Sequence, residues 1–187
     1  NAPVEGDLGP NDLTFNRIGF VDVLEQVKNH SCWTDPLSPP RNGGKVGRGL
    51  GVGYWRGGAG TSSVTLSING SGLITLVVGS VDLSISRPAW VQIVADELHV
   101  PPEEIHVKTG DTDSVGHTDN TGGSRVTYTT GAAVHSACLA AIQSLKERAA
   151  EKLEVTPDVI DFVDGVFIAR DIPDRSIDYK QLARQSS

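Results

Sequence analysis

The sequence predicts an α+β fold in which helices pack on a mixed and antiparallel β-sheet. Two observations support this prediction. Short runs of alternating apolar residues are joined by glycine-containing turns, and between them lie segments whose apolar residues recur at helical spacing. The chain has 187 residues, of which 38% are hydrophobic, and this suffices for one domain with a buried core.

Charge and apolar content exclude two classes of partner. A net charge of -7 disfavours binding to nucleic acid or to an anionic membrane surface. No apolar run reaches the length of about 20 residues that a membrane-spanning helix needs. The two cysteines, Cys32 and Cys138, are far apart in sequence and are predicted to be free thiols, so we expect a cytoplasmic location.

Three segments are predicted along the chain. Residues 1–2 are interpreted as the remnant of a removed tag, because the chain contains no methionine. Residues 3–42 are predicted to form an N-terminal helix and an extended lead-in. Residues 43–187 are predicted to form one α+β domain.

The N-terminal helix is predicted from about Leu13 to about His30, with Asn16 as a possible cap. Its apolar residues follow a spacing of three: Ile18, Val21, Leu24 and Val27. Prolines from Pro36 onwards prevent the helix from continuing.

A glycine-rich segment follows, with nine glycines between residues 43 and 60. Within residues 47–53, glycine alternates with larger residues, and a period of two predicts a strand with one bare face. A bare face lets either a neighbouring backbone or a ligand approach closely. We favour packing against a neighbouring backbone.

A hairpin and a β–α–β unit are predicted next. Residues 61–68 and 73–78 read as strands joined by the turn 69–72. Pro88 fits the first turn of a following helix, and residues 105–108 read as the strand after it. A crossover of this kind pairs strands in parallel, so the sheet is predicted to be mixed.

The central feature is the loop 118–126, which leads into a long helix over residues 126–152. Gly122 and Gly123 allow a close approach to the backbone, and Ser124 is predicted to cap the helix. The exposed N–H groups of such a helix start can bind an anion, although an ordinary helix start explains the same pattern. The inner face is predicted to be small: Gly131, Ala132, Ala133, Ala137, Cys138, Ala140 and Ala141. A second hairpin around Asp164 and a short C-terminal helix complete the prediction.

No self-sufficient active site is predicted, and no residue is assigned a catalytic or metal-binding role. None of the five histidines is paired with a second ligand at metal-binding spacing. Asp111 and Asp113 are more typical of a turn after a strand than of a cation site. Cys138 lies on the small face of the long helix, so we expect a packed thiol and not a nucleophile.

The order of the motifs is more specific than any one of them. Gly79-Ser80-Val81-Asp82 precedes a helix, the run 105–113 ends in Gly110-Asp111-Thr112-Asp113, and Thr121-Gly122-Gly123-Ser124-Arg125 precedes Gly131-Ala132-Ala133-Val134. From about Gly43 to Ala183, this succession resembles the molybdopterin-binding large subunit of the xanthine dehydrogenase/aldehyde oxidase family, the molybdenum hydroxylases.

The resemblance implies that the chain is a fragment of a larger oxidoreductase. The family binds molybdenum through molybdopterin or its cytosine dinucleotide form, and it oxidises an aldehyde or aromatic heterocycle with oxygen from water. The implied partners are the remainder of the large subunit, iron–sulfur and flavin domains or subunits, and a small-molecule substrate.

Two stretches are implied to touch the cofactor. The first is Asp82, Leu83, Ser84 and Ile85, in which Leu83-Ser84-Ile85 stands where many family members carry Gly-Gln-Gly. The second is Gly122, Gly123, Ser124, Arg125 and Val126, whose backbone amides would hold the pterin and its phosphates. The family's catalytic glutamate has no counterpart in this chain. We therefore expect the isolated fragment to be inactive and to lack the cofactor.

Two alternatives remain open at this stage. The first is a free-standing, non-catalytic module that binds a phosphate or another anion at Gly122. The second is an assembly subunit whose glycine-rich face, residues 47–53, is covered by a partner.

Overall fold

A computed structural model describes residues 2–9, 12–53, 55, 57–83, 85–172 and 174–184. The chain divides into two compact units, residues 1–54 and residues 55–187. Within the described ranges, no helix has the length and apolar character that crossing a membrane requires.

The first unit contains the helices α1 (Phe20–Asn29) and α2 (Ser31–Thr34). The prediction that α1 begins near Leu13 with Asn16 as its cap is wrong, because Gly19 with φ 61° immediately precedes the helix. The preceding residues fold back on the N-terminal segment: Phe15 N–H donates to the Asp7 carbonyl at 2.9 Å. Backbone groups used in this pairing cannot also form helical hydrogen bonds.

The glycine-rich segment 47–53 forms no strand, so that prediction is also wrong. Leu50 and Val52 are 53% and 62% exposed, and a Cβ atom added at Gly47, Gly49 or Gly51 would meet nothing within 4 Å. Alternation alone does not make a strand, because a strand also needs a partner for its N–H and C=O groups.

The second unit contains the predicted mixed sheet. The antiparallel hairpin of β1 (Val64–Ile68) and β2 (Ile74–Val78) is confirmed. Strand β3 (Ile105–Thr109) pairs with β2 in parallel, after the crossover helix α3 (Arg87–Leu98) that has Pro88 in its first turn. The strand order is β1-β2-β3. The core includes three fully buried residues of β2: Ile74, Leu76 and Val78.

The long helix has an irregular start. Val126–Thr130 form a π-helical turn, and the α-helix α4 then runs over Gly131–Leu153. The predicted small inner face is partly wrong, since Ala132 and Ala140 are exposed. The buried residues are instead Gly131, Val134, Cys138, Leu145, Ala149 and Ala150. Their spacing follows the turns of a helix, which decides burial more strongly than residue size does.

A second sheet follows α4 and contains β4 (Ile160–Val163), β5 (Val166–Ala169) and β6 (Ser176–Asp178), all antiparallel. The predicted hairpin at Asp164 is confirmed. The short helix α5 (Tyr179–Arg184) ends the described chain.

A polar contact ties α5 to the turn before β3. The Tyr179 hydroxyl donates to Glu104 Oε2 at 2.5 Å, and Lys180 Nζ donates to Oε1. These hydrogen bonds, with that of Lys180 foremost, lower the pKa of Glu104 below its usual value. Together, the helices and two sheets confirm the predicted α+β class.

Candidate functional site

Two glycine-bearing segments, residues 57–60 and residues 119–125, line an open cleft of about 500 Å³. The two segments are in direct contact, because Gly58 N–H donates to the Gly123 carbonyl at 2.6 Å. A Cβ atom at position 58 would lie 2.3 Å from the Gly122 carbonyl oxygen. Only glycine permits this approach.

Asp119 fastens one side of the cleft. Its Oδ2 atom accepts a hydrogen bond from Thr61 N–H at 2.6 Å, and its Oδ1 atom lies 3.1 Å from His117 Nε2. The hydrogen bond from Thr61, and then that with His117, lower the pKa of Asp119. A Cβ atom at Gly60, which has φ +109°, would lie 2.2 Å from Oδ2. The carboxylate is therefore ionised at neutral pH and engaged with protein groups.

Arg125 joins both segments through its buried side chain, and the residue is only 2% exposed. Nε donates to the Ala59 carbonyl and Nη1 donates to the Asp119 carbonyl, both at 2.8 Å. Nη2 donates to the Thr61 carbonyl at 2.6 Å and to Ser62 Oγ at 2.9 Å. The guanidinium thus binds the walls of the cleft, so its N–H groups act chiefly in positioning them.

A buried hydroxyl network extends from this clamp. Thr130 Oγ1 lies 3.0 Å from Ser62 Oγ and 2.8 Å from Ser80 Oγ, and Thr130 and Ser80 are 0% and 3% exposed. The network connects the lead-in to β1, the segment after β2 and the π-helical turn. Sequence reasoning missed it. The available signal was Thr130 within an otherwise small and apolar helix face.

The first predicted stretch forms the loop before α3. Asp82 Oδ1 accepts hydrogen bonds from Ser86 N–H at 2.7 Å and from Arg87 N–H at 3.1 Å, so this carboxylate caps the helix start. Leu83 and Ile85 are 55% and 78% exposed. Ile85 has φ 57°, a conformation rare for a β-branched residue. Ser84 lies outside the described residues.

The second predicted stretch is divided between different environments. Gly122, Gly123 and Arg125 line the cleft, and Val126 is buried in the core at 5% exposure. Ser124 lines a neighbouring open cleft of about 550 Å³ that also contains His135.

The prediction that Ser124 is the N-cap is wrong. Ser124 has φ 60°, whereas a capping residue takes an extended conformation. Arg125 occupies the position before the π-helical turn and provides no side-chain cap. Gly123, with φ 59°, is also left-handed, so two consecutive left-handed residues redirect the chain into the turn.

The cleft offers free backbone donors. The N–H groups of Gly60, Gly122 and Gly123 have no acceptor among the described residues. A Cβ atom added at Gly57 or Gly122 would meet nothing within 4 Å, so both positions leave the wall bare. Bare backbone with unpaired N–H groups suits an anionic or heterocyclic group.

Other reactive side chains do not converge on this site. Cys138 is buried, and burial raises the pKa of its thiol to about 12, which confirms the expected packed role. Across the part of the chain that the structure describes, no three His, Cys, Asp or Glu side chains are placed to hold a metal ion.

The fold belongs to a known class of domain. The sequence profile of the molybdopterin cofactor-binding domain matches residues 26–187, and the chain belongs to this family. Over 152 residues it is 33% identical to the 6-hydroxypseudooxynicotine dehydrogenase complex subunit gamma of Paenarthrobacter nicotinovorans, covering 79% of this chain and 19% of that protein.

Solved structures agree. The Cu,Mo-CO dehydrogenase in its carbon monoxide reduced state has a TM-score of 0.63 at 28% identity, and the reconstituted CO dehydrogenase from Oligotropha carboxidovorans has 0.62 at 27%. Each match covers 67% of this chain and 16% of the other. Quinoline 2-oxidoreductase from Pseudomonas putida 86, at 20% identity and a TM-score of 0.58, shares the fold.

These comparisons confirm the resemblance to the molybdopterin-binding part of molybdenum hydroxylases. The chain spans only 16–19% of the length of these relatives. The comparisons give no support to the alternative of a free-standing anion-binding module.

Proposed function

We propose that this chain forms one wall of the molybdenum-cofactor site in a larger molybdenum-dependent hydroxylase or dehydrogenase. The observation that carries the proposal is the cleft between residues 57–60 and 119–125. Its glycine walls and unpaired N–H groups occur in a chain of the molybdopterin-binding family. When bound, the cofactor would supply the oxidation of an aldehyde or aromatic heterocycle with oxygen from water.

Different residues of the chain would bind the cofactor and hold the walls of the cleft. The N–H groups of Gly60, Gly122 and Gly123 would donate to the pterin or its phosphates, because no described protein acceptor occupies them. Asp119 and Arg125 would hold the two walls at the correct separation through the bonds described above.

The remaining predicted residues would contribute around this cleft. Asp82 would fix the loop before α3, and the exposed side chains of Leu83 and Ile85 would face the cofactor or the rest of the subunit. Ser84 is proposed, from the family resemblance alone, to contact the cofactor. Ser124 would act from the neighbouring cleft, and Val126 through the packing of the helix start.

The complete enzyme is proposed to be cytoplasmic. It would use molybdopterin or its cytosine dinucleotide form and would pass electrons to iron–sulfur and flavin domains or subunits. The base that activates the reaction would come from another part of the large subunit. The isolated chain is therefore proposed to be inactive and empty of cofactor.

Metal analysis tests this proposal. The isolated chain and the full-length subunit that carries it are produced in a host that makes the cofactor, and molybdenum is measured by inductively coupled plasma mass spectrometry. Pterin is measured by fluorescence after oxidation. We expect molybdenum and pterin in the full-length subunit alone. A full-length subunit that contains neither molybdenum nor pterin would refute the proposal, provided that the same host loads a known molybdenum hydroxylase.

A further inference from the structure

Strand β1 exposes one edge of the first sheet. Asn69 N–H donates to the Leu73 carbonyl and Gly79 N–H donates to the Ser63 carbonyl, so positions 63 and 69 face β2. Hydrogen bonding alternates along an antiparallel pair, and the N–H and C=O groups of residues 64, 66 and 68 therefore face away from β2. No described residue bonds to these outward groups.

This edge carries none of the features that normally block further pairing. The sequence of β1 is Val-Thr-Leu-Ser-Ile, without a charged residue or a proline. The opposite edge strand, β3, carries the exposed residues His106 and Lys108. Charges and prolines on edge strands prevent unwanted pairing, so β3 is protected and β1 is open to another strand.

A groove lies beside the open edge. It has a volume of about 490 Å³, and its lining comes from β1 and α4, with no residue of β2. The floor includes Ala137, Ala140 and Ala141, whose small side chains leave room above the helix. The side chains of Leu66 and Ile68 on β1 are only partly buried against the core, whereas the core-facing residues of β2, which are Ile74, Leu76 and Val78, are fully buried.

We propose that an extended segment from the rest of the large subunit adds to the edge of β1 as a further strand. Its backbone would pair with residues 64, 66 and 68, and its inward side chains would be apolar and would fill the groove on α4. This inference rests on the proposed function, in which the chain is part of a longer polypeptide.

Two observations favour this occupant. Unpaired N–H and C=O groups in register select a strand over a helix or a loop. The chain spans only 16–19% of the length of its relatives, so most of such a polypeptide is available to supply the strand. A second copy of this chain would instead bring another net charge of -7 to the interface.

Hydrogen–deuterium exchange resolved to single amides tests the inference in the isolated chain and in the full-length subunit. We expect the amides of Val64, Leu66 and Ile68 to exchange at least about tenfold more slowly in the full-length subunit. The amides of Thr65 and Ser67 point toward β2, so they should be protected in both samples and serve as the internal control.

Equally fast exchange of the three outward amides in both samples would overturn the inference. If the three amides are protected in the isolated chain and lose this protection on dilution, a second copy of the chain pairs with β1. That result would also overturn the inference. Molybdenum is measured in the same full-length sample. Protected amides without molybdenum would refute the proposed function alone, and molybdenum with unprotected amides would refute strand addition alone.

A pair of variants adds a second test in the full-length subunit. Leu66→Lys places an ammonium group in the groove, whereas Ser67→Lys changes an exposed position of the same strand that does not line the groove. We expect Leu66→Lys to remove the protection of residues 64 and 68 and Ser67→Lys to keep it. Retained protection in a folded Leu66→Lys variant would contradict the inference. If Leu66→Lys does not fold, the wild-type exchange data decide.

Discussion

Arg125 is a buried cation that binds mainly carbonyl oxygens. Removing a charge from water costs several kcal/mol, and hydrogen bonds must offset that cost. Arg125 meets the requirement with three backbone carbonyls and one hydroxyl, drawn from residues 59–62 and from Asp119. Arginine commonly binds anionic ligands, but here Arg125 instead holds two chain segments together. The negative charge of Asp119, on the same wall as Arg125, further lowers the cost of burying the guanidinium.

At the contact between the two walls, Gly58→Ala should destabilise the fold. The added Cβ atom would lie 2.3 Å from the Gly122 carbonyl oxygen, and the free energy of unfolding should fall by about 2–3 kcal/mol. Gly57→Ala is the matched control, because its Cβ atom meets nothing, and it should change stability by less than about 1 kcal/mol. Urea denaturation measures both. Equal stability of the two variants would show that the walls do not touch.

Among the structural elements, the π-helical turn Val126–Thr130 connects the cleft to the sheet. Thr129 Oγ1 donates to the Arg125 carbonyl at 3.0 Å, and Thr130 enters the hydroxyl network with Ser62 and Ser80. Irregular turns of this kind occur often at functional sites, where they direct side chains that a regular helix would place elsewhere. Here the turn fixes the orientation of the cleft relative to β2.

The hydroxyl group of Thr130 should stabilise the fold through this network. Thr130→Val keeps the shape of the side chain and removes its hydroxyl, which leaves Ser80 without its partner. The free energy of unfolding should fall by about 1–3 kcal/mol. Thr127→Val, on the exposed side of the same turn, should stay within about 0.5 kcal/mol of the wild type. Thermal unfolding followed by circular dichroism measures both, and similar melting temperatures would contradict a stabilising network.

The helices and strands that are marked by short sequence patterns could be predicted from the sequence. The hairpin at residues 69–72, the crossover helix with Pro88 and the parallel strand β3 all follow from patterns within a few residues of each other. The start of α1 depends on the pairing of Phe15 with Asp7, and a strand at residues 47–53 would need a partner strand; periodicity reveals neither. The π-helical turn depends on bonds from Thr130 to positions 50 and 68 residues away.

At the scale of the whole molecule, half of the candidate site was predictable. The loop Gly122-Gly123 stood out through its glycines and its place before a long helix. The opposite wall, residues 57–60, was seen only as part of a glycine-rich segment, because its contact with residue 123 spans 65 positions of the chain. Closely spaced glycines in two segments are a usable signal, since each can allow the other to approach.

The cleft between residues 57–60 and 119–125 is proposed to hold the molybdenum cofactor. Molybdenum content of the full-length subunit carrying Gly122→Leu tests it most directly, because a Cβ atom there meets no protein atom within 4 Å. Gly47→Leu is the control, as position 47 is equally open and lies outside the cleft. We predict that Gly122→Leu folds normally and loses most of its molybdenum, while Gly47→Leu keeps the wild-type content. A folded Gly122→Leu subunit with wild-type molybdenum content would contradict the claim.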